Sequence, residues 1–358
     1  GQAPHGISAE ALRGEGLTSI PAAHPAAVTV PGAIDAICRL SEAHGRLGLD
    51  RCLAPAIKYF EEGVPIAPRV AFDLAKEFPD MTEDARRYYL NSGRAYGIGD
   101  RLTLPGQAEV LRRIAKSGRA AFYEGEVADD ILAALHAVGG VHAQEDFAAV
   151  EASWGTPIEG QYRGHGLLEH PPNGQGATAI LLAGILSQFD LGRMDQSGPE
   201  YLHIIAEATK LAYDARNRFV ADPRHVTRLD HMLRPATAER LAGLIDPKRA
   251  MAAPAPLTEE VHRDTVLITA VDRDGMAVSL IYSIFNSFGS GIASPKFGIL
   301  LHNRGSGFNL TEGHAAEFGP GRRPPHTLAP ALATRGGELV SVFGTMGGDA
   351  QPQILLQV

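Results

Sequence analysis

The sequence predicts an α+β protein in which helices come first and strands last. Three observations carry that expectation. Apolar residues recur at helical spacing through roughly the first two thirds of the chain, periodicity is lost over residues 246–264, and the remainder consists of β-branched apolar runs punctuated by glycine turns. Helices segregated from strands in this way suit α+β rather than alternating α/β architecture.

Each element has its own local signal. "VPGAIDAICRLSEAHGRLG" and "LAPAIKYFEEGVPIAPRVAFDLAKEF" each show Pro near a helix start and apolar residues at helical spacing, the first closed by Gly. "AEVLRRIAKSGRAAFYEG" and "VADDILAALHAVGG" are short helices closed by Gly. "WGTPIEGQYRGHGLLEHPPNGQGA" carries two short strands and a loop, and "TAILLAGILSQF" resumes a helix. In "GPEYLHIIAEATKLAYDARNRFVADP", Tyr201, Ile204, Ile205, Ala208, Leu211, Ala212, Ala215 and Phe219 form one apolar stripe, bracketed by Pro199 and Pro223. "DPKRAMAAPAPLTEEVHRD" has the composition of an exposed linker. Beyond it, "TVLITAV" and "MAVSLIYS", joined by "DRDG", form a hairpin.

Composition sets further limits. The chain has 358 residues, 44% of them hydrophobic, enough for a substantial core. A net charge of -8 with dispersed basic residues argues against a nucleic-acid partner. The longest apolar run, "ATAILLAGIL", falls short of the ~20 residues that span a bilayer, so no membrane partner is expected. Cys38 and Cys52 are expected to be buried free thiols, because two cysteines make no disulfide framework. "HAQED", from His142 to Asp146, matches no metal-ligand spacing and reads as a helix cap. No metal and no organic cofactor is expected. The chain opens on Gly without a signal-like region and stops at "QILLQV" inside a helical pattern, so a fragment at both ends is expected.

Thr265 opens the first strand after the linker. A threonine hydroxyl is a weak nucleophile and needs a nearby base. If the peptide bond before it is cut, its own α-amine, with a pKa near 8, supplies that base. Local pattern alone favours an ordinary strand threonine.

"DTVLITAVDRDGMAVSLIYSIFNSFGSGI", "GILLHNRGSGF", "PGRRPPHTLAPAL" and "FGTMGGDAQPQ" occur in that order. Together with upstream "AAVTVPGAIDA", "LAPAIKYFEEGVPI", "PPNGQGATAILLAGIL" and "EATKLAYDARNRFVADP", they resemble the γ-glutamyltransferase family of N-terminal nucleophile hydrolases over nearly the whole chain. The resemblance implies an αββα sandwich and self-cleavage between Asp264 and Thr265. Residues 1–245 would then belong to a large subunit, 246–264 to the linker and 265–358 to the start of a small subunit. It assigns Thr265 as nucleophile, Ser283 as a second hydroxyl that bonds the nucleophile's amine, and Gly347 and Gly348 as oxyanion-hole glycines. Phe285 falls where the transferases place an Asn and offers only packing.

The pattern departs from γ-glutamyl recognition at "HNRGSGF", where Arg304 replaces a Gln and Gly307 an Asp. A substrate ammonium would meet a guanidinium there, which is repulsive at close range. His326 and Thr327 replace two carboxylate-binding serines, and both can donate to an anion or stand in an exposed loop. The resemblance therefore implies a Thr265 amidohydrolase or acyltransferase for a small amide with an anionic acyl group held by Arg304, like the cephalosporin acylase and oxamate amidohydrolase branch. True γ-glutamyl transfer is the alternative within the family, and an unprocessed, catalytically silent binding protein the alternative outside it. It leaves the compartment open, with the cytoplasm favoured.

Overall fold

The computed structural model describes residues 1–252 and 263–357, with the backbone alone at Arg263 and Asp264. The chain forms two compact units. The first comprises residues 1–154, 284–312 and 317–324, and the second 155–283, 313–316 and 325–358.

The first unit is mainly helical. α1 (Ala33–His44), α2 (Leu49–Glu62), α3 (Pro105–Ser117) and α4 (Glu126–Ala137) are its longest helices. Ile114, Tyr123, Ile131, Leu135, Phe147 and Leu301 share one buried cluster. Pro55 lies inside α2 rather than at its start, because the helix begins at Leu49, earlier than its apolar pattern. Asp146 accepts from the Ala143 N–H at 2.9 Å, the expected cap of a short helix, Gln144–Ala148. Cys38 is half-buried and Cys52 exposed, so the expectation of two buried thiols fails at Cys52: α2 turns that position outward.

The second unit surrounds α5 (Gly176–Leu186), which is apolar on every side and buried on every side. α6 (Pro199–Phe219) packs against it through Ile204, Ile205, Ala208 and Ala212. Strands β1 (Ile158–Tyr162) and β2 (His165–Glu169) are the two expected short strands. Their register pairs Tyr162 with His165 across Arg163 and Gly164, both at positive φ. That is the two-residue hairpin geometry which matches strand twist.

β3 (Arg263–Val271) and β4 (Ala277–Asn286) form the expected hairpin, closed by the Asp272 N–H donating to the Met276 carbonyl at 2.9 Å. β5 (Ala331–Arg335) and β6 (Glu338–Phe343) complete an antiparallel sheet of order β6-β5-β2-β1. Arg263 and Asp264, expected in the linker, already belong to β3; residues 253–262 of that linker lie outside the described residues. Among the described residues no helix is long and apolar enough to cross a membrane.

Candidate active site

Alternation along β3 turns Thr265 inward and leaves Val266 and Ile268 exposed. The Thr265 side chain is buried, and its Oγ1 donates to Ser283 Oγ at 3.2 Å. Two hydroxyls separated by 18 positions in sequence thus meet because the hairpin brings β4 back along β3. In the unbroken chain the Thr265 nitrogen is a peptide amide, so it becomes a base only if the bond to Asp264 is cut.

The short Gly348–Ala350 turn packs beside β3. Gly347 has φ +141° and Gly348 φ +55°, backbone that other residues adopt only under strain. The Gly347 carbonyl accepts from the Ala350 N–H at 3.1 Å, which fixes the intervening peptide and hence the direction of the Gly348 N–H. Glycine also keeps the approach open, since a Cβ at Gly347 would lie 3.0 Å from Ile354 Cδ1.

His326 and Thr327 are half-buried and buried, not an exposed pair. The His326 N–H donates to the Asn173 carbonyl at 2.7 Å. The Thr327 carbonyl accepts from Gln175 Nε2 at 2.6 Å, and the same Nε2 donates to the Gly348 carbonyl at 2.9 Å. Gln175, Arg216 and Asp349 are absent from the residues that sequence reasoning singled out. Their signal was position: Gln175 in the "PPNGQG" turn, Arg216 in the last turn of an amphipathic helix, and Asp349 directly after the paired glycines.

Arg304 belongs to the first unit. It is 6% exposed, opens a short turn (Arg304–Gly307), and its guanidinium carbon lies 3.6 Å from the Phe285 ring centroid. Phe285 therefore offers more than packing: its ring face supports a cation. Gly307 makes this possible, because a Cβ there would overlap Arg304 Nη2. The turn is anchored by His302, whose Nδ1 accepts from the Arg304 N–H at 3.0 Å while Nε2 bonds the Thr29 carbonyl at 2.9 Å. Burial pushes the His302 pKa down to about 3, so this imidazole is neutral and the adjacent guanidinium carries the local charge.

Among the described residues no group of three or more His, Cys, Asp or Glu side chains is arranged to hold a metal. The arrangement offers a buried hydroxyl pair, a turn of paired glycines beside it and, in the other unit, a stacked buried cation.

Comparison with known proteins agrees over the whole length. The family description Gamma-glutamyltranspeptidase matches residues 1–358. The Glutathione hydrolase-like YwrD proenzyme of Bacillus subtilis is 35% identical over 330 residues, covering 91% of this chain and 62% of that protein. The Oxamate amidohydrolase proenzyme of Klebsiella pneumoniae is 34% identical over 336 residues, covering 93% and 63% respectively. The crystal structure of cephalosporin acylase from Bacillus halodurans superposes with a TM-score of 0.91 at 33% identity, over 100% of this chain and 67% of that one. The chain thus spans about three fifths of the length of these two curated relatives. Its fold is that of the N-terminal nucleophile hydrolases, and the chain belongs to the gamma-glutamyltranspeptidase family.

Proposed function

We propose that the protein is a self-processing amidohydrolase that transfers an acyl group to water through an ester on Thr265. The observation that carries this reading is the buried Thr265 hydroxyl, third residue of β3, held 3.2 Å from Ser283. In processing, Thr265 Oγ1 attacks the Asp264 carbonyl carbon, the C–N bond breaks with its nitrogen protonated to a free α-amine as the acyl group moves to oxygen, and water then hydrolyses the ester to the Asp264 carboxylate and the Thr265 hydroxyl. In turnover that amine takes the hydroxyl proton as Oγ1 attacks the substrate carbonyl. The Gly347 and Gly348 N–H groups stabilise the oxyanion, the amine returns the proton to the leaving nitrogen, and water completes the cycle.

Arg304 selects an anionic acyl group in this reading. Its guanidinium is buried and stacked on the Phe285 ring within the first unit. A γ-glutamyl α-ammonium would need a carboxylate counter-ion, and at this position the chain carries a guanidinium. Relatives carry both kinds of name, an oxamate amidohydrolase and a cephalosporin acylase on one side and glutathione hydrolases on the other, so the direction rests on Arg304. The test compares glutaryl and oxamate amides with a γ-glutamyl anilide. Higher kcat/KM on the anionic amides is expected, and preferential turnover of the γ-glutamyl substrate contradicts the role given to Arg304.

A further inference from the structure

We infer that Gln175 and Arg216 are positioning residues that lock the Gly347–Gly348 turn to the His326–Thr327 loop, an inference that rests on reading those glycines as oxyanion donors. Gln175 is 1% exposed. A buried primary amide has two N–H groups and one oxygen to satisfy. Nε2 reaches the Thr327 and Gly348 carbonyls at 2.6 and 2.9 Å, and Oε1 accepts from Arg216 Nη1 at 3.1 Å. Both Nε2 partners are carbonyl oxygens, so the amide can be oriented in only one way.

Arg216 extends the lock to the residue after the glycines. Its Nη1 also donates to Asp349 Oδ1 at 2.9 Å, and the guanidinium carbon lies 4.4 Å from the Tyr213 ring centroid. The Tyr213 hydroxyl donates to the Asp349 carbonyl. With the Ala350 N–H on the Gly347 carbonyl, three successive carbonyls, of Gly347, Gly348 and Asp349, each have a fixed donor. A turn at φ +141° and +55° has no regular ladder to hold it, so these bonds determine where its N–H groups point. Oxyanion stabilisation depends on donors already aimed before the reaction, and supporting contacts of this kind set that aim. Because one amide spans both loops, a displacement of either is transmitted to the other.

The test uses the full-length protein with Gln175→Met, which keeps the bulk and removes both donors, and with Arg216→Lys and Arg216→Met. Cleavage is followed by intact mass, folding by thermal melting, and turnover of a glutaryl amide per cleaved chain. Affinities are measured for a boronic acid that mimics the tetrahedral intermediate and for the product carboxylate. We expect Gln175→Met to be cleaved, to lose about 10- to 100-fold in kcat, and to bind the boronate more weakly by a similar factor while product affinity holds. Arg216→Lys should retain more of kcat than Arg216→Met. The assignment is overturned by an unchanged kcat, by equal weakening of boronate and product, or by a folded variant that stays uncleaved, since the amide would then serve the cleavage junction. Absence of any Thr265-dependent turnover in the parent protein overturns the underlying reading instead, and this assignment with it.

Discussion

The Arg304 guanidinium carbon lies 3.6 Å from the centre of the Phe285 ring, and Phe285 presents that ring from a backbone at φ +79°. A bulky residue in this region costs about 1–3 kcal/mol, and a desolvated cation–π contact of about 2 kcal/mol offsets much of it. Phe285→Leu keeps the strain and loses the ring. KM for an anionic acyl amide should rise about tenfold and the melting temperature should fall. Phe285→Asn relieves the strain, because Asn tolerates positive φ, so it should melt close to the parent while losing the same preference. Steady-state kinetics and melting curves on the pair check this; an unaltered KM in Phe285→Leu would remove the ring from substrate selection.

Ser283→Ala deletes the oxygen that accepts from Thr265 Oγ1 at 3.2 Å. One neutral hydrogen bond contributes about 0.5–1.5 kcal/mol, so turnover should fall about 2- to 10-fold, with self-cleavage slowed and not abolished. A time course of cleavage and kcat on the cleaved form measure both.

Gly347→Ala places a side chain at φ +141°, with its Cβ 3.0 Å from Ile354 Cδ1. The turn must move, and a displaced oxyanion donor costs about 10²–10³ in kcat. Product affinity should change far less than kcat. Equal losses in the two would mark a general loosening of the fold.

Glu169 is 2% exposed on β2, and a Cβ on Gly176 at the start of α5 would lie 3.1 Å from its Oε2. Burial pushes its carboxyl from 4.5 up to about 8, with the His170 backbone N–H acting weakly the other way. Proton counts set the sign of the effect on stability. Below about 4.5 the folded and unfolded chains are both protonated; between 4.5 and about 8 only the folded chain holds the proton, so stability drains away as pH rises through that window. The loss is on the order of a few kcal/mol. Glu169→Gln should flatten the decline of melting temperature between about pH 5 and 8, which a pH series of melts on both proteins would show.

The fold class and the order of elements were legible because they rest on local signals. The hairpin at "DRDG", the strands on either side of Arg163 and Gly164, and the stripe on α6 are all written in spacing and turn chemistry. The start of α2 was not, since Pro55 gave the signal of a helix beginning while the packed helix extends six residues before it. Thr265, Ser283 and the paired glycines were singled out through ordered motifs, and the hairpin brings the two hydroxyls within 3.2 Å of each other. Gln175 was not: a glutamine's role depends on which carbonyls it meets, and Thr327 and Gly348 lie 152 and 173 positions away. The stacking of Arg304 on Phe285 was hidden for the same reason, as they lie 19 positions apart and no periodicity links a turn to a strand end.

The central claim is that Thr265 becomes an N-terminus. Intact-mass measurement of the freshly folded full-length protein beside its Thr265→Ala variant tests it most directly. The account predicts two fragments in the parent, the second beginning at Thr265, and one unbroken chain in the variant. A single unbroken chain in both, with the parent folded, would contradict it and favour an unprocessed binding protein on the same fold.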